Sequence, residues 1–149
     1  MKIFIFVISL FIGAATMPHA SQFVFKSADG GVINLEDFKG KPLLVVNTAS
    51  RCGFTGQLET LQKLSDIYNS DGLTVLAVPS NDFNQELSSV EAVKEFCTVN
   101  YNLTLPMTEI TSVRGKNAHP FFRWVKETTG FSPKWNFNKI LIGPSGEVV

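Results

Sequence analysis

The chain has 149 residues, 44% of them apolar, with thirteen basic side chains against thirteen acidic ones. That is enough for one domain with an ordinary buried core. No basic run or stripe breaks the balance, which argues against a nucleic-acid partner.

Residues 1–20 read as a signal peptide. Lys2 supplies a positive start, residues 3–12 an apolar stretch of about ten residues, and Gly13-Ala14-Ala15 the small residues of a cleavage region. The segment is too short to span a bilayer comfortably. A cut after Ala20 would put Pro18 at the −3 position, whereas Gly13 and Ala15 form a better small pair; a retained anchor is the alternative. The leader predicts export, to a bacterial periplasm, with no stable membrane span after cleavage and residues 21–149 as the mature domain. With His19 inside that leader, histidines and thiols are too few for a tetrahedral zinc site.

Beyond residue 20, strand and helix patterns alternate. Phe23-Val24-Phe25-Lys26 and Val32-Ile33-Asn34-Leu35, either side of Asp29-Gly30-Gly31, predict a hairpin. Residues 43–48 predict a buried strand, a tight turn follows, and a helix opens near Thr55. Leu58, Leu61, Leu64, Ile67 and Tyr68 recur along that helix at helical spacing until Asp71-Gly72 ends it. Residues 73–79 predict a second buried strand, and Ser88 or Ser89 caps a helix carrying Val93, Phe96 and Cys97. Pro106 marks a turn or a cis bond. Residues 120–126 read as helix and residues 139–142 as a strand closed by Gly143-Pro144-Ser145-Gly146. Val149 falls inside what reads as a further strand, so the sequence reads as truncated at its C-terminus. Strands separated by helices imply an α/β fold with crossover connections.

The two cysteines, Cys52 and Cys97, are the chemically informative residues. Cys52 follows the first crossover strand, where open α/β sheets place their sites. A sulfur at a helix start faces unpaired backbone N–H groups and the positive end of the helix dipole, and Arg51 adds charge of the same sign. All three favour the nucleophilic thiolate. Two cysteines in an exported chain also fit a single structural disulfide.

Four stretches in order resemble the glutathione peroxidases. Asn47-Thr48-Ala49-Ser50-Arg51-Cys52-Gly53-Phe54-Thr55 resembles the peroxidatic motif, with cysteine where some members carry selenocysteine. Val78-Pro79-Ser80-Asn81-Asp82-Phe83-Asn84-Gln85-Glu86 resembles the glutamine loop. Ala118-His119-Pro120 is similar to a family helix start, and Lys134-Trp135-Asn136-Phe137 to the segment giving the tryptophan and asparagine of the site. The resemblance covers the chain from about residue 22 to its end. It implies a thioredoxin-like fold, with a central mixed sheet flanked by helices and an N-terminal β-hairpin.

The resemblance further implies a thiol peroxidase that reduces hydrogen peroxide and organic or lipid hydroperoxides and needs no cofactor. Cys52 is the implied nucleophile, passing through a sulfenic acid. Gln85, Trp135 and Asn136 are implied donors; all three stay neutral near pH 7 and so stabilise charge without titrating. Composition alone would make Trp135 a core aromatic, but its junction with Asn136 in this segment favours the donor role, and His119 reads as structural before Pro120. The glutamine loop is one residue shorter than is usual in the family, Asp82 stands where many members have glutamine, and Leu87 replaces a common proline.

Cys97 lies in a segment resembling the resolving-cysteine helix of members reduced by thioredoxin. The implied reductant is therefore a thioredoxin-like protein, or else glutathione. A disulfide needs Cα atoms within about 7 Å, so a thiol inside a helix has to be freed by local unwinding before it can pair. A buried Cys97 that never pairs is the alternative. Tetrameric members carry a long insertion where Thr128-Thr129-Gly130-Phe131-Ser132-Pro133 makes a short join here, which implies a monomer. Two other readings remain: a non-enzymatic peroxide sensor or redox relay, and an exported thiol–disulfide oxidoreductase. The second wants Cys-x-x-Cys, but Thr55 holds its last position. A peroxiredoxin would have threonine three residues before its cysteine, and Thr48 is four before Cys52.

Overall fold

The computed structural model describes residues 19–149, so the predicted leader lies outside the described residues except for His19 and Ala20. Ala20 is buried at 3% exposure and its N–H donates to the Gly146 carbonyl at 2.9 Å. The domain is therefore already packed at residue 20.

Strands β1 (Val24–Lys26) and β2 (Val32–Asn34) pair antiparallel as the expected hairpin. Gly30 and Gly31 turn it with φ of 87° and 72°, a conformation that costs glycine nothing. The central sheet has the order β4-β3-β5, built from β3 (Leu43–Thr48), β4 (Thr74–Pro79) and β5 (Lys139–Ile142). β3 runs parallel to β4 and antiparallel to β5, so the sheet is mixed. The antiparallel bridge between Ile142 and Val148 continues this edge.

Helices α1 (Gln57–Tyr68), α2 (Val90–Tyr101) and α3 (Pro120–Thr129) complete the fold. Both faces of the sheet are covered, which is why its inner strands read as unbroken apolar runs. Leu76 and Val78 of β4 join Phe25, Phe121 and Val125 on one side. Val75 and Ala77, pointing the other way, join Leu58, Leu61, Val93 and Cys97. All four β4 residues from Val75 to Val78 are at 0% exposure. At roughly 1.5–3 kcal/mol for each large side chain buried, this strand anchors both cores.

The helices differ from expectation in instructive ways. Leu58 and Leu61 are buried, but Ile67 and Tyr68 are 63% and 46% exposed. Phe96 is only partly buried, packed on Tyr101 with ring centroids 5.9 Å apart. α3 continues to Thr129 before Gly130 ends it with φ of 76°. Pro106 follows a bend at Leu105 and makes neither the expected turn nor a cis bond: its carbonyl accepts the Ala77 N–H of β4 at 3.0 Å, and there is no cis peptide among the described residues. No helix of the described residues is long and apolar enough to cross a membrane.

Candidate active site

Strand β3 delivers Cys52 to the C-terminal end of the sheet in a turn closed by Thr55. The Thr55 hydroxyl accepts the Cys52 N–H at 3.0 Å and lies 2.7 Å from the Cys52 carbonyl and 2.8 Å from the Ala49 carbonyl. The Phe54 N–H donates to Cys52 Sγ at 3.4 Å. A backbone donor does meet the sulfur, but it comes from this turn. The helix opens later than expected, at Gln57 with Gly56 as N-cap, because Thr55 is occupied in closing the turn. Cys52 is 9% exposed, while Phe54 beside it is 54% exposed.

Gln85 comes to this turn on the loop after β4. Its carbonyl accepts the Arg51 N–H at 2.9 Å, and its side-chain Oε1 accepts from Asn136 Nδ2 at 2.9 Å. The shortened loop achieves this through a turn from Asn81 to Asn84, where Asn84 takes a left-handed φ of 57°. Asp82 braces it: its Oδ2 accepts the N–H groups of Val113 and Arg114 at 2.6 and 3.0 Å. With Gln85 Oε1 held by Asn136, the Gln85 amide N–H groups remain for a ligand.

The third wall is the segment 135–138, which Asn47 of β3 clamps. Asn47 Nδ2 donates to the Trp135 carbonyl at 2.9 Å, and its Oδ1 accepts the Asn138 N–H at 3.0 Å. The Phe137 N–H reaches the Asn47 carbonyl at 2.6 Å, and Phe137 has a φ of 63°, a left-handed conformation costly for a bulky residue. Asn136 is 3% exposed and Trp135 42% exposed. The Trp135 ring packs on Phe83 with centroids 5.3 Å apart, and its indole N–H has no partner among the described residues.

Hydrogen bonds thus join the segments of Cys52, Gln85, Trp135 and Asn136 at one end of the sheet. Cys97 is placed differently, within α2, but it shares one apolar cluster with Cys52 and both thiols are free. Burial pushes the Cys97 thiol up to about 12, and the nearby Glu86 charge adds to that. His119 caps α3: Nδ1 accepts the Phe121 N–H at 3.2 Å and Nε2 donates to the Val24 carbonyl at 3.0 Å. Its ring stacks on Phe25 at 3.9 Å, the structural place its position before Pro120 predicts.

Sequence reading left Glu86 without a role. It is 6% exposed, and its Oε1 accepts the Ser50 and Leu87 N–H groups at 3.0 and 2.8 Å. Leu87 donates where a proline could not. Among the described residues, the buried side-chain atoms without a partner are Ser50 Oγ, Glu86 Oε2 and Asn136 Oδ1, all in this region. Unsatisfied buried polar atoms are rare and ask for a reason, of which a working site is one. No periodicity reveals such a carboxylate in sequence. Asn47 did carry a signal, as a polar residue inside an otherwise apolar strand.

A family model described as glutathione peroxidase matches residues 20–126. The chain is 44% identical over 130 residues to the glutathione peroxidase homolog BsaA of Bacillus subtilis, covering 83% of this chain and 81% of that one. It is 41% identical over 141 residues to the hydroperoxy fatty acid reductase gpx1 of Synechocystis, covering 85% and 82%. Among solved structures, T. cruzi GPX1 superposes with a TM-score of 0.70 at 33% identity, covering 89% of this chain and 84% of that one.

Proposed function

The chain belongs to the glutathione peroxidase family and is a peroxidase; on that premise we propose that Cys52 is its nucleophile and Cys97 its resolving thiol. The Cys52 thiolate attacks the terminal oxygen of a hydroperoxide, the O–O bond breaks, and a sulfenic acid forms as the alkoxide or hydroxide leaves with a proton. Gln85, Trp135 and Asn136 donate to the developing oxygen charge. The observation that carries this reading is the convergence of the Cys52 turn, Gln85 and Asn136 through the bonds at 2.9 Å, with free amide and indole donors left over.

Cys97 then attacks the Cys52 sulfenic sulfur, forming a disulfide and releasing water. A thioredoxin-like dithiol protein reduces that disulfide in preference to glutathione. The cysteines share a cluster, but Cys97 sits in the last turns of α2, where the Asn102 N–H caps its carbonyl. The end of that helix has to open for the sulfurs to meet. Substrates are hydrogen peroxide and organic or lipid hydroperoxides. The protein works as a monomer, with only the short join at Thr128-Thr129-Gly130-Phe131-Ser132-Pro133 before the Trp135 segment. It is exported to a bacterial periplasm after loss of its leader, and the burial of Ala20 favours a cut upstream of that residue.

The test is peroxide consumption with a recycling dithiol donor, compared with Cys52→Ser. Repeated turnover lost in the variant supports the enzyme. A single stoichiometric oxidation would support the sensor reading, and turnover surviving Cys52→Ser would refute the assignment.

A further inference from the structure

We propose that Glu86 is a positioning residue for the peroxidase reaction, its carboxylate fixing the turn that carries Cys52 against the loop that carries Gln85. The assignment rests on the peroxidase reading of Cys52. One oxygen, Oε1, gathers the Ser50 N–H from the cysteine turn and the Leu87 N–H from the glutamine loop, at 3.0 and 2.8 Å. A second link runs alongside, from the Arg51 N–H to the Gln85 carbonyl at 2.9 Å, and the Glu86 N–H is itself held by Asn81 Oδ1 at 3.1 Å. The side chain is therefore fixed at both ends.

A carboxylate in this position is costly unless it has work to do, because burial disfavours its charge and Oε2 has no partner. Burial accordingly raises its proton affinity above the usual carboxylate range; the Ser50 hydroxyl, close by but outside hydrogen-bond geometry, and the Leu87 and Ser50 N–H groups it accepts pull the other way. No cation in hydrogen-bond contact offsets the charge among the described residues; Arg51 acts only through space. The bonds themselves need only an acceptor at Oε1. Glutamine retains that acceptor and substitutes an amide for the unpartnered Oε2, beside the unpartnered Ser50 hydroxyl. Alanine removes the acceptor and leaves two buried N–H groups to find others.

The contrast between those two substitutions tests the role. Cys52 oxidation is followed in a single turnover with hydrogen peroxide, trapping the sulfenic acid, while hydrogen exchange is read at the Ser50 and Leu87 amides. Glu86→Ala is expected to slow oxidation by roughly ten- to a hundredfold, the scale of a misplaced reacting group. It should deprotect those two amides while the β4 amides stay protected. Glu86→Gln is expected to hold the rate within about threefold and to keep both amides protected, the conservative rescue that an acceptor role demands. Wild-type rates in Glu86→Ala overturn the assignment. So does a Glu86→Gln protein that folds but is slow or has lost Ser50 protection, and this variant decides the matter if Glu86→Ala does not fold. A wild-type Cys52 that fails to react overturns the peroxidase reading and the assignment with it, an outcome distinct from either variant's.

Discussion

Cys52 and Cys97 are nearly equally buried, at 9% and 4% exposure, and belong to one apolar cluster, yet they occupy opposite chemical settings. Cys52 lies in a turn, with a backbone N–H on its sulfur and amide donors on a neighbouring loop. Cys97 lies in a helix, its thiol pushed up to about 12 by burial and by the Glu86 charge. Burial, with the Glu86 charge adding to it, acts against the Cys97 thiolate, whereas the Cys52 sulfur meets a backbone donor in its turn.

The largest effect expected from this contrast is in Cys52→Ser, which should reduce peroxide consumption to the buffer background, whereas Cys97→Ser should still form the Cys52 sulfenic acid at the wild-type rate. Equal loss of that first oxidation in both variants would erase the distinction. Next, Asn136→Ala or Gln85→Ala should lower the rate constant for peroxide by about a hundredfold, as for loss of a preorganised donor. Stopped-flow oxidation would show it, and a change below about threefold would remove these residues from the reaction.

A third effect lies in the Cys97 thiol. With a value of about 12, it is almost wholly protonated at pH 8, so alkylation with iodoacetamide should mark Cys52 well before Cys97 in the reduced protein. After one equivalent of peroxide, peptide mapping should find a Cys52–Cys97 disulfide that thioredoxin removes. Full turnover with glutathione in Cys97→Ser would instead leave Cys97 as packing.

The smallest effect lies away from both thiols, at His119. Burial first, and Arg123 second, lower its proton affinity, while the bond to the Val24 carbonyl partly opposes them. A histidine held neutral in the fold stabilises it fully above the unfolded value of about 6.5, and that contribution is lost as pH falls through the lower folded value. The melting temperature should thus fall between pH 7 and 5 more steeply in the wild type than in His119→Asn, whose side chain can still cap α3. The substitution itself should cost about 1 kcal/mol at pH 7, the scale of a capping or hydrogen-bond change. Parallel pH profiles would remove the titration from the account.

The sequence by itself determined the order of the elements, the two-sided burial of β3 and β4, and the position of Cys52 after the first crossover strand. Those properties follow from local patterning: apolar runs, Ser89 before a helix, His119 before Pro120, and Gly72 as a stop. The peroxidase family was legible in four short motifs for the same reason, since each is contiguous in the chain. Tertiary structure decided what joins them. Only folding brings Asn47 to the 135–138 segment, Asn136 to Gln85 across 51 residues, and Glu86 to Ser50 across 36. Local patterning also overstated the buried face of α1, where Ile67 and Tyr68 keep the helical period and yet are exposed. A hydrophobic period reports which residues could share a face. Whether a polar side chain such as Glu86 is buried, and which N–H groups it must satisfy, depends on segments distant in the chain and becomes definite only when they pack.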